Sequence, residues 1–212
     1  MNAIDKITEL ARAQIGVSED ANGHVKYSDE YGLPGQPWCM MFLWWLHKHT
    51  GLGEFFYDGK KTASCGALLR WAESKGYVVK DGRRGDIVIW TFRKNKDGKP
   101  ETSHCGWVTQ RGLLSTTSIE GNTCAIGSQD NGGHVMEQTR RQKYVLAYIR
   151  LPYDKEVVED TIMYVVKRGD TLWKISQKFY GTGKRWREIY NFNELTSTTL
   201  QINQVLYIRK EG

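Results

Sequence analysis

From Cys39 to Leu46 every position is apolar (Cys-Met-Met-Phe-Leu-Trp-Trp-Leu), with polar segments on both sides of the run. A segment that is apolar all round is buried all round, as a helix crossing a domain core is. Pro37 disfavours helical backbone at Gln36, so the pattern predicts a helix that begins at Cys39, runs to about His49 and stops at Gly51. Before it, residues 1–15 set Ile4, Ile7, Ala11 and Ile15 on one face of an amphipathic helix that Gly16 ends. Ser18 to Gly35 is polar and glycine-containing, with Tyr27 and Tyr31 expected to pack on the domain surface. A further helix is expected from about Ser64 to Lys75, stopping at Gly76.

The period changes near residue 77. Tyr77–Val79, Asp86–Phe92, His104–Thr109, Ser115–Glu120, His134–Arg140 and Lys143–Arg150 are short runs rich in β-branched and aromatic residues. Turn formers such as Asp81-Gly82, Asp97-Gly98, Arg111-Gly112 and Gly132-Gly133 separate them. Helices followed by strands predict an α+β domain, an antiparallel sheet packed against N-terminal helices, over residues 1–152. Residues 153–161 are acidic and aperiodic and read as a linker. Residues 162–212 then run strand, helix, helix, strand, a small βααβ unit near the lower size limit for folding alone. Trp173, Trp186, Tyr190, Leu195, Val205 and Tyr207 are its expected core.

Composition changes this picture little, but charge and cysteine content add to it. The 212 residues are 40% hydrophobic and 25% charged, an ordinary soluble profile, and carry a formal net charge of +6. Residues 162–212 are the most basic part, so an acidic partner is expected; charge alone does not choose among nucleic acid, an anionic membrane surface and an anionic cell wall. The N-terminal stretch is no signal peptide and no segment approaches the roughly 20 apolar residues of a membrane span, so a cytosolic start is expected. Without an export signal, Cys39, Cys65, Cys105 and Cys124 read as reduced thiols rather than disulfide partners. A zinc site built from these cysteines and His104 competes with that reading. Adjacent His104 and Cys105, however, point to opposite faces of a strand and do not easily share one tetrahedral ion. Asp20, Asn22, Asp29 and Glu30 can bind calcium, but their spacing fits no standard loop and favours a solvated face.

A thiol in the first turn of a helix faces unpaired N–H groups and the positive end of the helix dipole, which favour a thiolate. Cys39 is therefore a candidate nucleophile, and a free core cysteine is the alternative. A nucleophile needs a base, and the base needs a group to orient it. His47 and His49 lie roughly 12 to 15 Å along the same helix and are too far away. His24 and His134 have no evident polar partner. His104 is the strongest remaining candidate, and Gly106, two residues on, leaves room for a helix or a substrate to approach. Glu120 and Asn122 share one strand face, so either can orient the imidazole. Gln36 can lend its amide to an oxyanion hole. Trp90 and Trp107 fall on strands beside this site and are candidates to line a substrate groove.

The blocks Pro37-Trp38-Cys39-Met40-Met41-Phe42, Arg84-Gly85-Asp86-Ile87-Val88-Ile89-Trp90, Ser103-His104-Cys105-Gly106-Trp107-Val108 and Ile119-Glu120-Gly121-Asn122-Thr123 resemble, in order, those of the cysteine, histidine-dependent amidohydrolase/peptidase (CHAP) domains. The resemblance implies a papain-like fold and peptidoglycan hydrolysis without a cofactor. In it Cys39 is the nucleophile, His104 base and then acid, and Glu120 and Asn122 polar partners. Met40, Met41 and Cys105 depart from the family's usual small or polar residues. Residues 164–175 and 201–208 are similar to the two ends of a LysM domain, which binds glycans containing N-acetylglucosamine. That similarity maps sugar contacts to Gly169, Asp170, Thr171 and Leu172 on one side and to Thr199, Leu200, Gln201 and Ile202 on the other. Gln201-Ile202-Asn203-Gln204 replaces a usual Pro-Gly pair. Together these resemblances imply a phage endolysin-like enzyme, monomeric, held in a host cytosol until it reaches the wall. A non-catalytic wall-binding protein with a structural cysteine is the alternative, and a nucleic-acid binder lacks any recognition motif.

Overall fold

The computed structural model describes residues 2–125, 132–153, 161–193 and 195–209. The chain divides into two compact units, Met1–Lys155 and Glu156–Gly212. The expected linker, residues 153–161, lies almost wholly outside the described residues.

In the first unit α1 (Ala3–Ala13) is capped by Asn2, whose Oδ1 accepts from Asp5 N at 2.8 Å. It buries Ala3, Ile7, Leu10 and Ala11, while Ile15 falls beyond the helix end and is exposed, contrary to expectation. A short helix, α2 (Lys26–Tyr31), stands where the sequence reads as polar loop, and it drives Tyr27 fully into the core instead of onto the surface. There Tyr27 packs against Trp38, Phe42 and Trp45. α3 (Cys39–His49) has the expected bounds and is buried from Cys39 to His47. α4 (Cys65–Ser74) starts after Ser64, whose Oγ accepts from Ala67 N at 3.2 Å.

The sheet that follows is antiparallel. Its strands are β1 (Val78–Val79), β2 (Ile87–Trp90), β3 (His104–Arg111), β4 (Ser115–Thr123), β5 (His134–Arg141) and β6 (Val145–Ile149). Among the described residues they lie in the order β1-β6-β2-β3-β4-β5, so the arrangement is α+β as expected. Pairing of Ile87 with Trp107 and of Trp107 with Ile119 fixes the faces. Cys105, Trp107, Ile119 and Gly121 face α3, and His104, Gly106 and Glu120 face the other way. Two glycines make these contacts close. A Cβ on Gly121 would lie 2.6 Å from Phe42 Cβ, and one on Gly106 would lie 2.8 Å from Glu120 Cγ. Gly106 therefore makes room for Glu120 and Ser118, and it is Gly121 that admits the helix.

The second unit contains β7 (Thr161–Val165), α5 (Leu172–Tyr180), α6 (Trp186–Phe192) and β8 (Val205–Arg209), with β7 and β8 paired antiparallel. Tyr164, Val166, Leu172, Ile175, Tyr180, Ile189, Leu206 and Ile208 form its core. Trp173 is not in that core. It is 52% exposed and lies over the backbone of Gly183, where no Cβ would fit.

Candidate active site

Cys39 is the first residue of α3, and its N–H, with those of Met40 and Met41, precedes the first intrahelical bond, Phe42 N to Trp38 O. β3 begins beside this turn. Its first two residues, on opposite faces, both come within interaction range of the Cys39 sulfur: His104 as an imidazole and Cys105 as a thiol. Cys65, the first residue of α4, is the third thiol there, and the sulfurs of Cys39, Cys65 and Cys105 all lie within 4.8 Å of one another. Contacts from Cys105 and Cys65 hold Cys39 well below the ordinary thiol range, burial opposes them, and His104 adds to the lowering. Burial and the neighbouring Cys39 push Cys105 well above that range. Of the three, Cys39 is the one pushed toward the thiolate, while Cys65 and Cys105 are pushed toward the thiol.

His104 is fully buried. Its Nε2 lies 3.1 Å from Glu120 Oε2, an ion-pair contact off the line of a straight hydrogen bond. Burial works to lower the imidazole's proton affinity, but Cys39 and Glu120 outweigh it and raise the pKa to about 9. With Nε2 turned to Glu120, Nδ1 is the nitrogen left to exchange a proton with the thiol. Glu120 is buried too; burial would raise its pKa, and His104 and Arg140 hold it below the ordinary value instead. Arg140, on β5, meets it on two edges, Nε to Oε1 at 2.9 Å and Nη2 to Oε2 at 2.6 Å, and Ser118 Oγ donates to Oε1 at 2.7 Å.

Arg140 has no signal in the sequence, where it is one arginine of a polar strand. The β4–β5 register, with Glu120 opposite Met136 and Thr116 opposite Arg140, puts Arg140 on the face of Glu120, and its long side chain reaches along the strands to the carboxylate. The guanidinium also lies 4.9 Å over the Phe92 ring and 5.8 Å over that of Trp90. Trp90 therefore supports Arg140 from within the core and does not line an open groove. Trp107 is likewise a core residue, fully buried with Nε1 donating to Thr8 Oγ1 at 3.0 Å. Asn122 adopts φ 57°, and its Oδ1 accepts from Gly133 N at 3.2 Å, holding the start of β5; Glu120 is the residue at His104. Gln36 is exposed in the turn before α3.

The remaining histidines serve elsewhere. His47 Nδ1 donates to Leu43 O and Nε2 accepts from Tyr153 OH, each at 2.7 Å, and burial pushes its pKa down to about 4. His24 pairs with Asp29 and His49 with Glu30. Asp20 Oδ1 accepts from the N–H groups of Asn22 and His24, so the acidic residues considered for calcium are spent on a turn and on separate ion pairs. Among the described residues the cysteine trio alone converges as a ligand set.

In the second unit Asp170 Oδ2 accepts from Lys167 N and Tyr164 OH, both at 2.7 Å, and Thr171 caps α5 through Lys174 N at 3.2 Å. Leu172 is buried and Leu200 half-buried against the core. Gly169, Thr171, Thr199, Gln201 and Ile202 are the expected sugar contacts that face solvent, with Trp173 exposed next to Leu172.

Comparison with known proteins gives matches of three kinds. Over 129 residues the chain is 52% identical to the "Uncharacterized protein YqbP" of Bacillus subtilis (strain 168), a match covering 58% of this chain. The chain spans only 56% of that relative's length. Similar crystal structures include a wild type endolysin, LysIME-EF1, at 16% identity and TM-score 0.41, covering 73% of this chain and 67% of that one. Another is Ly7917, at 14% identity and TM-score 0.42, covering 77% and 65%. Two family models match the sequence itself, one in each unit. Residues 29–122 form a CHAP domain and residues 164–209 a LysM domain, in that order along the chain.

Proposed function

We propose that this protein is a peptidoglycan hydrolase that cleaves an amide bond in the peptide part of the wall and is held there by its LysM domain. The observation that carries the reading is the buried chain Cys39, His104, Glu120, Arg140, in which a thiol at a helix start meets an imidazole backed by an anchored carboxylate, with the thiol's pKa held down and the imidazole's raised. The Cys39 thiolate attacks the amide carbonyl, and the developing oxyanion faces the first N–H groups of α3 and the Gln36 amide. His104 gives its proton to the leaving amine, then takes one from the water that releases the acyl group from sulfur. Glu120 keeps the ring in place through both transfers, and Arg140 keeps Glu120 in place. Catalysis by this route needs no metal.

Glycan binding by the second unit falls to its exposed rim, Gly169, Thr171, Thr199, Gln201 and Ile202, and the net charge of +6 suits an anionic wall. Purified wall digested with the protein and read by mass spectrometry should show one new amine and one new carboxyl end, which together identify the bond. Cys39→Ala should show neither while still sedimenting with the wall. Undiminished cleavage by Cys39→Ala would leave a wall-binding protein with a structural cysteine.

A further inference from the structure

Hydrolysis uses one sulfur, yet three meet at the site. Cys39, Cys65 and Cys105 come from three separate elements, α3, α4 and β3, and their sulfurs lie within 4.8 Å of one another. All three are buried and none is in a disulfide. Three thiolates around one zinc ion, with Zn–S bonds of about 2.3 Å, stand roughly 3.8 to 4.0 Å apart, so the trio is a small side-chain rotation from that geometry. Two of the sulfurs sit at helix starts, Cys39 on α3 and Cys65 on α4, where aligned N–H groups offset the negative charge a tris-thiolate site gathers. Soft thiolate donors without a carboxylate or carbonyl among them select a thiophilic d10 cation over calcium or magnesium.

We propose that Cys39, Cys65 and Cys105 form a binding site for a thiophilic divalent d10 cation of the zinc class, with a fourth coordination position left open. The expected clash between His104 and Cys105 as joint ligands does not arise, because Cys65 supplies the third donor and the imidazole stays with Glu120. Each thiol gives up its proton as its metal–sulfur bond forms. A metal bound there occupies the lone pair with which Cys39 attacks, so the loaded protein is a resting form of the enzyme; this consequence rests on the proposed function, and the site itself does not.

The test uses the full chain, reduced and stripped with a chelator, titrated with cadmium(II) alone while the ultraviolet thiolate-to-cadmium charge-transfer absorption is followed. Saturation at one equivalent is expected. Cys65→Ser and Cys105→Ser should each remove roughly a third of the absorption and weaken binding about tenfold or more, whereas Cys124→Ser should change neither. Cadmium NMR of the unsubstituted protein counts sulfur ligands without relying on any variant, and a three-sulfur shift is expected. No absorption, a one-sulfur shift, or folded Cys65→Ser and Cys105→Ser proteins that bind as the parent does would overturn the site. Both readouts are made without substrate, so failure of the hydrolase reading would leave a positive result standing.

Discussion

At the scale of single residues, the site depends on two opposed shifts. Cys39 is held below the ordinary thiol range and His104 is raised from 6.5 to about 9, two directions that favour a thiolate beside an imidazolium at neutral pH. The leaving amine needs the imidazolium proton, which is present below about pH 9 and lost above it. Amide release should therefore hold a plateau through neutral pH and fall along an alkaline limb near 9. Glu120→Gln removes one support of the raised value, and a pH–rate profile should show that limb moving down by about one pH unit or more; an unmoved limb would refute the role of Glu120. The linkage to stability has the same sign, since a raised histidine stabilises the fold fully below 6.5 and loses that contribution as pH climbs through about 9. Arg140→Gln leaves Glu120 buried without its bidentate partner, and urea unfolding should register a loss of about 3 to 5 kcal/mol. Cys39 was legible as a candidate because a helix start can be read from sequence, and His104 because in the sequence the other histidines are too far away or lack an evident polar partner and because the family resemblance points to it. Arg140 and Cys65 were not, because strand register and the docking of α4 bring them in, and neither leaves a local pattern.

At the scale of elements, the site exists because α3 packs against β3 and β4 with its first residue beside the start of β3, where His104, facing the other way with Glu120, still comes within range of the sulfur. Gly121 and Gly106 permit the two contacts separately, one toward Phe42 and Trp38, the other toward Glu120 and Ser118. Gly121→Ala should push the start of α3 away from β4. The expected cost is on the order of 2 kcal/mol in urea unfolding, with a fall in wall cleavage beyond what the unfolded fraction explains. Gly53→Ala is the control, since its added carbon meets nothing closer than 3.8 Å and should cost under about 0.5 kcal/mol. A Gly121→Ala protein as stable and active as the parent would show that α3 tolerates a wider spacing. The all-apolar run made α3 readable to the residue. The helix α2, with the sequence Lys-Tyr-Ser-Asp-Glu-Tyr, did not read as one because four of its six positions are polar; it is held by Tyr27 in the aromatic cluster, with Ser28 buried beside it and Tyr31 edge-on to Trp44. Trp173 misled for the opposite reason: size suggests a core residue, but the α5 stripe runs through Leu172, Ile175 and Ser176 and leaves Trp173 outside.

At the scale of the whole chain, the proposed function assigns chemistry to one unit and attachment to the other, and that division can be measured. Cys39, His104, Glu120 and Arg140 all belong to the first unit, so cleavage of a small soluble peptidoglycan fragment should not need the LysM unit. Insoluble wall is different, because attachment through the second unit raises the local concentration of the first at its substrate to a level set by the connecting segment. A protein ending at residue 155 should therefore match the full chain per molecule on soluble fragments and fall about tenfold or more behind on intact wall. Added salt should narrow the gap, since it weakens the attraction of a chain with net charge +6 to an anionic polymer. Equal loss on both substrates would mean that the second unit completes the catalytic one, and equal rates on both would mean that the exposed rim around Ile202 does not hold the wall.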